Sequence, residues 1–172
     1  MNNIPTKEKM QKALTEKVGE TLQNKLAYST VAVCGLGGLG SNIAISLARA
    51  GVGKLILIDF DKVDIANLNR QQYKASQIGR YKAEALTDNL REISPYTEIK
   101  AYVQKLDKSN YAELLLEADI ICEAFDSAEE KSKLVNYVLE HMPGKFLVAA
   151  SGMAGLGSPN KIVTRKITEK FY

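Results

Sequence analysis

Residues 31–41 read VAVCGLGGLGS and indicate the architecture of the chain around them. An apolar run of strand length, 31–34, leads directly into the pattern Gly-x-Gly-x-x-Gly at residues 35–40, and a helical repeat follows. In this strand–turn–helix context, glycine permits a tight turn and lets a phosphate approach the backbone, and the first amides of the helix favour an anion. The stretch predicts a nucleotide-binding turn. The alternative is a turn that needs glycine for packing alone.

Four more apolar runs of strand length follow the glycine turn: KLILID (54–59), EIKAYV (98–103), DIICEA (119–124) and KFLVAA (145–150). Longer stretches with helical periodicity separate them. This alternation is typical of an α/β fold with a Rossmann-like, mostly parallel sheet and crossover helices.

Three crossover helices are predicted between the strands. The first begins near Ser41 as its N-cap, carries Ile43, Leu47 and Ala50 on one apolar face, and ends at Gly51. The second spans about 80–93. The third begins after Ser127, and its apolar stripe consists of Leu134, Val135, Val138, Leu139 and Met142.

The two ends of the chain differ from this central pattern. Residues 1–27 are rich in helix formers, with Gly19 as a break, and predict a helical N-terminal arm. Residues 28–172 form the predicted Rossmann-like domain. Its final segment includes IVTRKI (162–167), for which we expect a short antiparallel edge strand.

Composition limits the classes of function. The chain has 172 residues, 45% of them hydrophobic, which suits one compact core. A net charge of +3 argues against nucleic-acid binding. The sequence has no long apolar span and no signal-peptide pattern, so we expect a cytoplasmic protein without a membrane partner. Cys34 and Cys122 lie in apolar runs, which favours small buried side chains over a disulfide or a zinc site.

Polar residues after the second strand extend the candidate nucleotide site. Asp59 follows the glycines by about twenty residues, where such folds place an acid that binds ribose hydroxyls. This feature is equally consistent with NAD and ATP. For Asp61, contact with a ligand and solvation of the loop are equally consistent with the sequence.

Cations in the next segment favour phosphate chemistry over hydride transfer. The segment Asn67-Leu68-Asn69-Arg70-Gln71 follows the second strand, and Lys82 lies on the next helix. Arg70 can bind two phosphate oxygens at once, and Lys82 suits an α-phosphate as a point charge. Taken singly, each cation is as consistent with an exposed structural role.

Asp126 follows the fourth strand, at the edge where ligands bind in open parallel sheets. Its carboxylate favours magnesium binding. The alternative role for Asp126 is the N-cap of the following helix. The only histidine, His141, lies near the end of that helix, far in sequence from these motifs, and is interpreted as structural.

This ordered set of motifs resembles the family of ThiF, MoeB and the ubiquitin-activating enzymes, and the shorter bacterial ThiF proteins above all. The resemblance covers residues 28–166. It implies ATP-dependent adenylation of the C-terminal glycine carboxylate of the ubiquitin-like sulfur carrier ThiS, in thiamine biosynthesis. The resemblance also implies a role for each site residue. The triphosphate would be cradled by Gly35, Gly37, Gly38, Leu39 and Gly40, and the ribose would lie at Asp59 and Asp61. Phosphates would be contacted by Asn67, Arg70, Gln71 and Lys82, and Mg²⁺ would be held by Asp126. Arg70, Lys82 and Asp126 would be the catalytic set.

The resemblance also raises expectations beyond the nucleotide. Family members are commonly homodimers in which an arginine of the partner's N-terminal arm completes the site, but here no arginine precedes Arg49. Lys12 or Lys17 would substitute, or the contact is missing. The loop at 151–157 would line the path of the carrier tail, and the alternative, equally consistent with the sequence, is a flexible glycine loop. Family members continue past the point that corresponds to Tyr172, so we expect this chain to be C-terminally incomplete.

Three other functions remain open from sequence. The chain could activate another ubiquitin-like carrier, such as MoaD. The glycine pattern and Asp59 alone are consistent with an NAD-dependent oxidoreductase. The early chain end and the absent arm arginine are consistent with a carrier-binding module that has no catalytic activity.

Overall fold

A five-stranded parallel sheet organises the chain. The structure, a computed structural model, describes residues 4–150 and 163–172. The strands are β1 (Thr30–Cys34), β2 (Lys54–Ile58), β3 (Glu98–Tyr102), β4 (Ile120–Glu123) and β5 (Phe146–Ala149). They lie in the order β3-β2-β1-β4-β5, and every pair is parallel. The predicted α/β fold with a Rossmann-like sheet is confirmed.

Helices cover both faces of the sheet because alternate residues of each strand are apolar on opposite sides. On one face, side chains of β1 and β2 pack with α3 (Gly40–Ala50) and α4 (Lys82–Ile93). On the other face, they pack with α5 (Tyr111–Leu114) and α6 (Ala128–His141). The chain reverses direction across the sheet between β1 and β4, where a doubly wound fold opens a crevice beyond the strand ends.

The first crossover helix differs from its prediction in two details. Ser41 is not the N-cap, because the helix begins one residue earlier, after Leu39, and the Ser41 hydroxyl donates to the Gly37 carbonyl at 2.7 Å. The fully buried positions are Ala44 and Ala48, whereas Ala50 is exposed. Ile43 and Leu47 are partly buried at the margin of this contact. Small side chains at the centre let the helix lie close to the sheet.

The other two crossover helices follow their predictions closely. The second begins at Lys82 and ends at Ile93. The third begins after Ser127, and Leu134 and Val138 of its predicted stripe are buried. Leu139 is 43% exposed, so the buried stripe is narrower than predicted.

Two short helices precede β1. They are α1 (Lys7–Val18) and α2 (Glu20–Tyr28), and they meet at Gly19, whose φ is 84°. No residue of α1 is buried, whereas Gln23 of α2 is 3% exposed. Across the part of the chain that the structure describes, no helix is long and apolar enough to cross a membrane.

The C-terminal segment differs from the sequence prediction. Residues 163–167, the described part of the predicted antiparallel strand, belong to no strand. Instead, Phe171 forms an isolated parallel bridge with Leu147 of β5. The Leu147 amide donates to Lys170 O at 2.8 Å, and the Tyr172 amide donates to Leu147 O at 3.0 Å. The predicted antiparallel strand is therefore replaced, in the described residues, by a parallel contact.

Both cysteines are buried and unpaired, Cys34 on β1 and Cys122 on β4. Burial raises the pKa of the Cys122 thiol to about 11. They pack as small apolar side chains, as the sequence predicts.

Candidate functional site

The candidate site lies where β1, β2 and β4 end beside one another. Gly35 follows β1, Asp59 follows β2 and Asp126 lies three residues beyond β4. Because parallel strands end at the same edge of a sheet, residues up to 91 positions apart in sequence converge on this edge.

The glycines of the loop fall into two groups. Gly35 has φ +89°, and a Cβ there would lie 3.0 Å from the Ala124 carbonyl oxygen. A Cβ on Gly40 would lie only 1.8 Å from the Gly35 carbonyl oxygen, closer than any real contact. By contrast, the atoms nearest to a Cβ on Gly37 or Gly38 belong to side chains, Gln71 Nε2 at 3.9 Å for Gly37 and the Arg70 side chain at 3.4–3.5 Å for Gly38. The outer glycines are needed to close the turn, and the inner ones leave open space above it.

Asp59 holds the glycine loop from the neighbouring strand. Its Oδ2 accepts the Leu36 amide at 2.6 Å, and its Oδ1 accepts the Asp61 amide at 2.7 Å. The residue is 8% exposed. Burial raises the pKa of Asp59 above its ordinary value, and the two donated backbone hydrogen bonds act in the opposite direction. The sequence placed Asp59 at this loop but gave no indication of these backbone contacts.

Two further groups fix the loop carbonyls. The buried hydroxyl of Tyr73 donates to Leu36 O at 2.7 Å. The side-chain amide of Asn42 donates to Gly38 O at 2.6 Å. Sequence analysis did not single out either residue. Tyr73 is the last residue of the stretch LIDFDKVDIANLNRQQY (57–73), and its position just after Arg70 and Gln71 is the signal that could have found it.

Arg70 and Gln71 lie directly over the inner glycines. The Arg70 side chain passes within 3.4–3.5 Å of the position that a Gly38 Cβ would occupy. Its Nη1 donates to Ala66 O at 3.1 Å and to Asn69 Oδ1 at 2.9 Å, while the side chain stays exposed. The structure therefore brings a cation with unused donors to the open side of the loop.

Gln71 contributes a buried amide to the same place. It is 7% exposed, its Nε2 is the atom nearest to the Gly37 Cβ position, and its Oε1 has no hydrogen-bond partner among the described residues. Because the two ends of an amide are distinguished only by their hydrogens, this side chain can present either a donor or an acceptor. A buried amide end without a partner is costly unless a ligand or water supplies one.

Asn67 shapes the segment that carries these residues. Its Oδ1 accepts the Asp64 amide at 3.0 Å, and Asp64 Oδ1 accepts the Ala66 amide at 2.8 Å. These two bonds cap the short 3₁₀ helix Ile65–Asn67. The side-chain carbonyl of Asn67 is therefore occupied by this cap.

Lys82 and Asp61 form an ion pair beside the loop. Lys82 is the first residue of α4, is 7% exposed, and places Nζ 2.8 Å from Asp61 Oδ2. The sequence left Asp61 open between ligand contact and solvation, but the structure gives it a third role as partner of a nearly buried cation. Such a pair fixes the position of the ammonium group.

Asp126 is exposed at the β4 end of the site. The N-cap of α6 is Ser127, whose hydroxyl accepts the Glu130 amide at 3.3 Å, so Asp126 is not needed for that role. Within residues 4–150 and 163–172, no three His, Cys, Asp or Glu side chains gather as a potential metal site. Asp126 therefore offers a single carboxylate.

Glu123 supports the loop that carries Asp126, and sequence analysis missed it. It is 1% exposed, its Oε1 accepts the Phe125 amide at 2.7 Å, and its Oε2 pairs with Lys131 Nζ. The sequence signal that could have identified Glu123 is an acid at the end of an apolar strand, with Lys131 eight residues later.

Other candidate residues lie away from this site. His141 is exposed at the end of α6, with Nδ1 3.2 Å from Tyr137 O. Lys12 and Lys17 are exposed on α1. The predicted carrier-tail loop, 151–157, lies outside the described residues.

Comparisons with known proteins show which family the chain resembles. The sequence model of the ThiF family matches residues 10–170. The chain is 47% identical over 78 residues to ubiquitin-like modifier-activating enzyme 5 of Caenorhabditis elegans. The aligned stretch covers 45% of this chain and 19% of that protein. It is 37% identical over 113 residues to the molybdopterin-synthase adenylyltransferase of Haemophilus influenzae, and this alignment covers 65% of this chain and 46% of that protein. The chain thus spans less than half of the length of either relative.

A solved structure is similar over most of the chain. The tRNA N6-threonylcarbamoyladenosine dehydratase TcdA of E. coli, in complex with ATP, superimposes with a TM-score of 0.82 at 27% identity. The match covers 91% of this chain and 65% of that protein. A second structure of the same enzyme contains AMP.

Proposed function

The chain belongs to the ThiF family, and on that premise we propose that it binds ATP and adenylates the C-terminal carboxylate of a ubiquitin-like sulfur-carrier protein. The observation that carries this proposal is the placement of Arg70 and Gln71 over the two uncrowded glycines, Gly37 and Gly38. This arrangement leaves a backbone surface open to phosphate and sets a cation and a buried amide against it.

The proposed reaction needs charge neutralisation more than a strong base. A carboxylate oxygen of the carrier attacks the α-phosphorus, the bond to the β-phosphate bridging oxygen breaks, and pyrophosphate leaves with the bonding electrons. Both reactants are anions, so cations must offset their repulsion and align them. Arg70 would hold the departing phosphates with its planar fork, and Lys82, fixed by Asp61, would neutralise the α-phosphate.

Magnesium is compatible with the residues that the site offers. Mg²⁺ in nucleotide sites is commonly held by one or two carboxylates together with substrate phosphates and water. The exposed carboxylate of Asp126, which is not used as a helix cap, fits the protein's share of such a site. The ion would supply further neutralisation of the phosphates.

Asp59 and the inner glycines complete the proposed nucleotide site. The Asp59 carboxylate accepts two backbone hydrogen bonds, and each of its oxygens has a second lone pair that can accept a ribose hydroxyl. Asn67 would contact a phosphate through its side-chain NH2 group, because its Oδ1 already accepts the Asp64 amide.

ThiS is the carrier that we propose, on the resemblance to the shorter bacterial ThiF proteins. Two alternatives have support of their own. The Haemophilus relative is named for molybdopterin synthase, which favours a carrier such as MoaD. The similarity to TcdA over 91% of this chain favours a carboxylate on a modified tRNA as a further candidate. The NAD-dependent oxidoreductase is less favoured because the TcdA structures contain ATP and AMP.

The test is ATP–pyrophosphate exchange with candidate carboxylates. We expect magnesium-dependent exchange with purified ThiS and weaker or no exchange with MoaD or threonylcarbamoyl-modified tRNA. Arg70→Ala and Asp126→Ala should each abolish exchange with little loss of thermal stability. Arg91→Ala, on the exposed far end of α4, is the matched control and should leave the rate unchanged.

Calorimetry with ATP and NADH distinguishes the two remaining hypotheses, the carrier-binding module and the NAD-dependent oxidoreductase. ATP binding without exchange, with every carboxylate tried, would favour the carrier-binding module. Tight NADH binding in place of ATP would contradict the proposal outright.

A further inference from the structure

Three successive peptide units at the start of the glycine loop are held by different groups. The Leu36 amide donates to Asp59 Oδ2 at 2.6 Å, Leu36 O accepts the Tyr73 hydroxyl at 2.7 Å, and Gly37 O accepts the Ser41 hydroxyl at 2.7 Å. Leu36 itself is 0% exposed, and Tyr73 is 8% exposed. The loop is thus fixed by buried side chains from three separate segments.

The hydrogen bond from Tyr73 acts on the middle unit. A peptide bond is planar and trans, so the carbonyl of one residue and the amide N–H of the next point in opposite directions in one plane. Fixing the carbonyl of Leu36 therefore fixes the direction of the Gly37 N–H. Glycine at 37 would otherwise permit rotation of this plane at low cost.

The Gly37 N–H has no hydrogen-bond partner among the described residues. It lies at one of the two uncrowded glycines, and the nearest side-chain atom to its Cβ position is Gln71 Nε2 at 3.9 Å. An N–H that is held in direction but not engaged is suited to an anionic ligand.

Tyr73 is chemically suited to remain a donor. Burial raises the pKa of its hydroxyl, and the carboxylates of Asp59 and Asp61 act in the same direction. The hydroxyl therefore keeps its proton at neutral pH and can donate to Leu36 O.

We propose that Tyr73 is a positioning residue, which holds the Leu36–Gly37 peptide unit so that the Gly37 N–H donates to a phosphate of the bound nucleotide. The inference rests on the proposed function, because it takes the ligand to be a nucleoside phosphate. It adds a residue outside the glycine pattern to those that determine affinity for the phosphates.

Tyr73→Phe in the 172-residue chain tests the proposal, since it removes the hydroxyl and keeps the ring. Loss of one positioned hydrogen bond is expected to raise the Kd for ATP by about threefold to tenfold and to leave the Kd for adenosine unchanged. A purely structural role would lower the unfolding temperature and leave both constants unchanged. An unaltered ATP affinity in Tyr73→Phe therefore overturns the proposal.

Tyr111→Phe is the matched control. Tyr111 is 0% exposed, and its hydroxyl has no hydrogen-bond partner among the described residues. Its removal should change neither dissociation constant, and equal losses of ATP affinity in both variants would overturn the specific role of Tyr73. Failure of the wild-type chain to bind ATP would instead refute the proposed function itself.

Hydrogen exchange on the wild-type chain gives a second test that needs no variant. The Leu36 amide should exchange slowly without ligand, because Asp59 already accepts it. The Gly37 amide should exchange rapidly without ligand and become protected by ATP but not by adenosine. Rapid exchange at Leu36, or a Gly37 amide that ATP leaves unprotected, would contradict the proposal even if Tyr73→Phe failed to fold.

Discussion

The glycines of the 35–40 turn have unequal tolerance of a side chain. A Cβ on Gly40 would overlap the Gly35 carbonyl oxygen at 1.8 Å, whereas the atoms nearest to a Cβ on Gly38 belong to the flexible Arg70 side chain, at 3.4 Å and beyond. We expect Gly40→Ala to destabilise the fold by about 3 kcal/mol or more, since backbone must move to relieve the clash. Urea unfolding would measure this change.

Two variants define the comparison for Gly40→Ala. Gly38→Ala should cost little stability, and Gly144→Ala, with nothing within 4 Å of its Cβ, should cost none. Similar stability of Gly40→Ala and Gly144→Ala would mean that the turn has a different backbone path.

At the level of residues, spacing predicted which side chains meet but not what each one contacts. The interval from the glycines to Asp59 placed this acid at the turn, because strand and crossover lengths are limited in such folds. The bonds from Asp59 to two backbone amides, and the pairing of Asp61 with Lys82, depend on tertiary distances that no spacing rule contains. Tyr73 was missed for the same reason.

One buried ion pair joins β4 to α6, in addition to the apolar packing of Leu134 and Val138. Glu123 on β4 has a fully buried side chain, and its partner Lys131 on α6 has 19% of its side chain exposed. Removing the cation leaves a buried carboxylate without compensation, so Lys131→Met should lower the free energy of unfolding by about 3 kcal/mol. Urea denaturation at neutral pH measures the loss.

Lys133→Met is the control on the same helix. Lys133 pairs with Glu129 and Glu130 at a more exposed position, and such pairs contribute little in water. If both lysine variants lost the same amount of stability, the Glu123–Lys131 pair would have no special importance.

A second electrostatic link joins the turn before β4 to β2 and β3. Hydrogen bonds from Lys100 and Lys54, each at 2.6 Å, lower the pKa of Glu117 to about 2. A carboxylate whose pKa is lower in the folded state stabilises the fold above its unfolded pKa, and this contribution is lost as pH falls toward the folded value. Glu117→Gln should therefore have a lower free energy of unfolding than wild type at pH 7. This difference in free energy should disappear as the pH falls from about 4.5 to about 2.

Denaturant titrations at several pH values would follow this gap. Glu113→Gln is the control, since Glu113 forms no ion pair within the described residues and should show no such gap. A Glu117→Gln gap that stays constant from pH 7 to pH 2 would rule out the linkage.

At the level of elements, the sequence runs predicted all five strands to within one residue at each end. The central strands β1, β2 and β4 are buried along almost their whole length and have few polar positions, whereas the edge strands β3 and β5 are only partly buried. Helix faces were harder to predict. Ala44 and Ala48 form the buried centre of α3 because small side chains permit a close approach, and hydrophobicity alone favoured the larger Ile43 and Leu47. The C-terminal segment contacts β5 in the parallel direction, and periodicity reveals neither the partner nor the direction.

For the molecule as a whole, a ligand that binds only the folded state must raise its stability. ATP at 100 times its Kd should increase the free energy of unfolding by about 2.7 kcal/mol. NADH at the same concentration should have no effect, and Arg70→Ala should reduce the increase from ATP. Chemical denaturation with and without each nucleotide provides the measurement, and equal stabilisation by both would contradict a site selective for ATP.

The strand order was not predictable from local pattern, although the alternation of strands and helices limited the choices. The site depends on that order, because only β1 beside β4 brings Gly35 against Ala124. The cations Arg70 and Lys82 favoured phosphate chemistry over hydride transfer, and the family resemblance added ATP as the nucleotide.

The pairing of β1 with β4 also constrains how the protein is made on the ribosome. The Thr30 amide donates to the Asp119 side chain across 89 positions of sequence. At about 5–20 residues per second, the glycine turn is synthesised roughly 5–20 s before its neighbour β4. During that interval one edge of β1 has no partner and is open to pairing with the wrong strand.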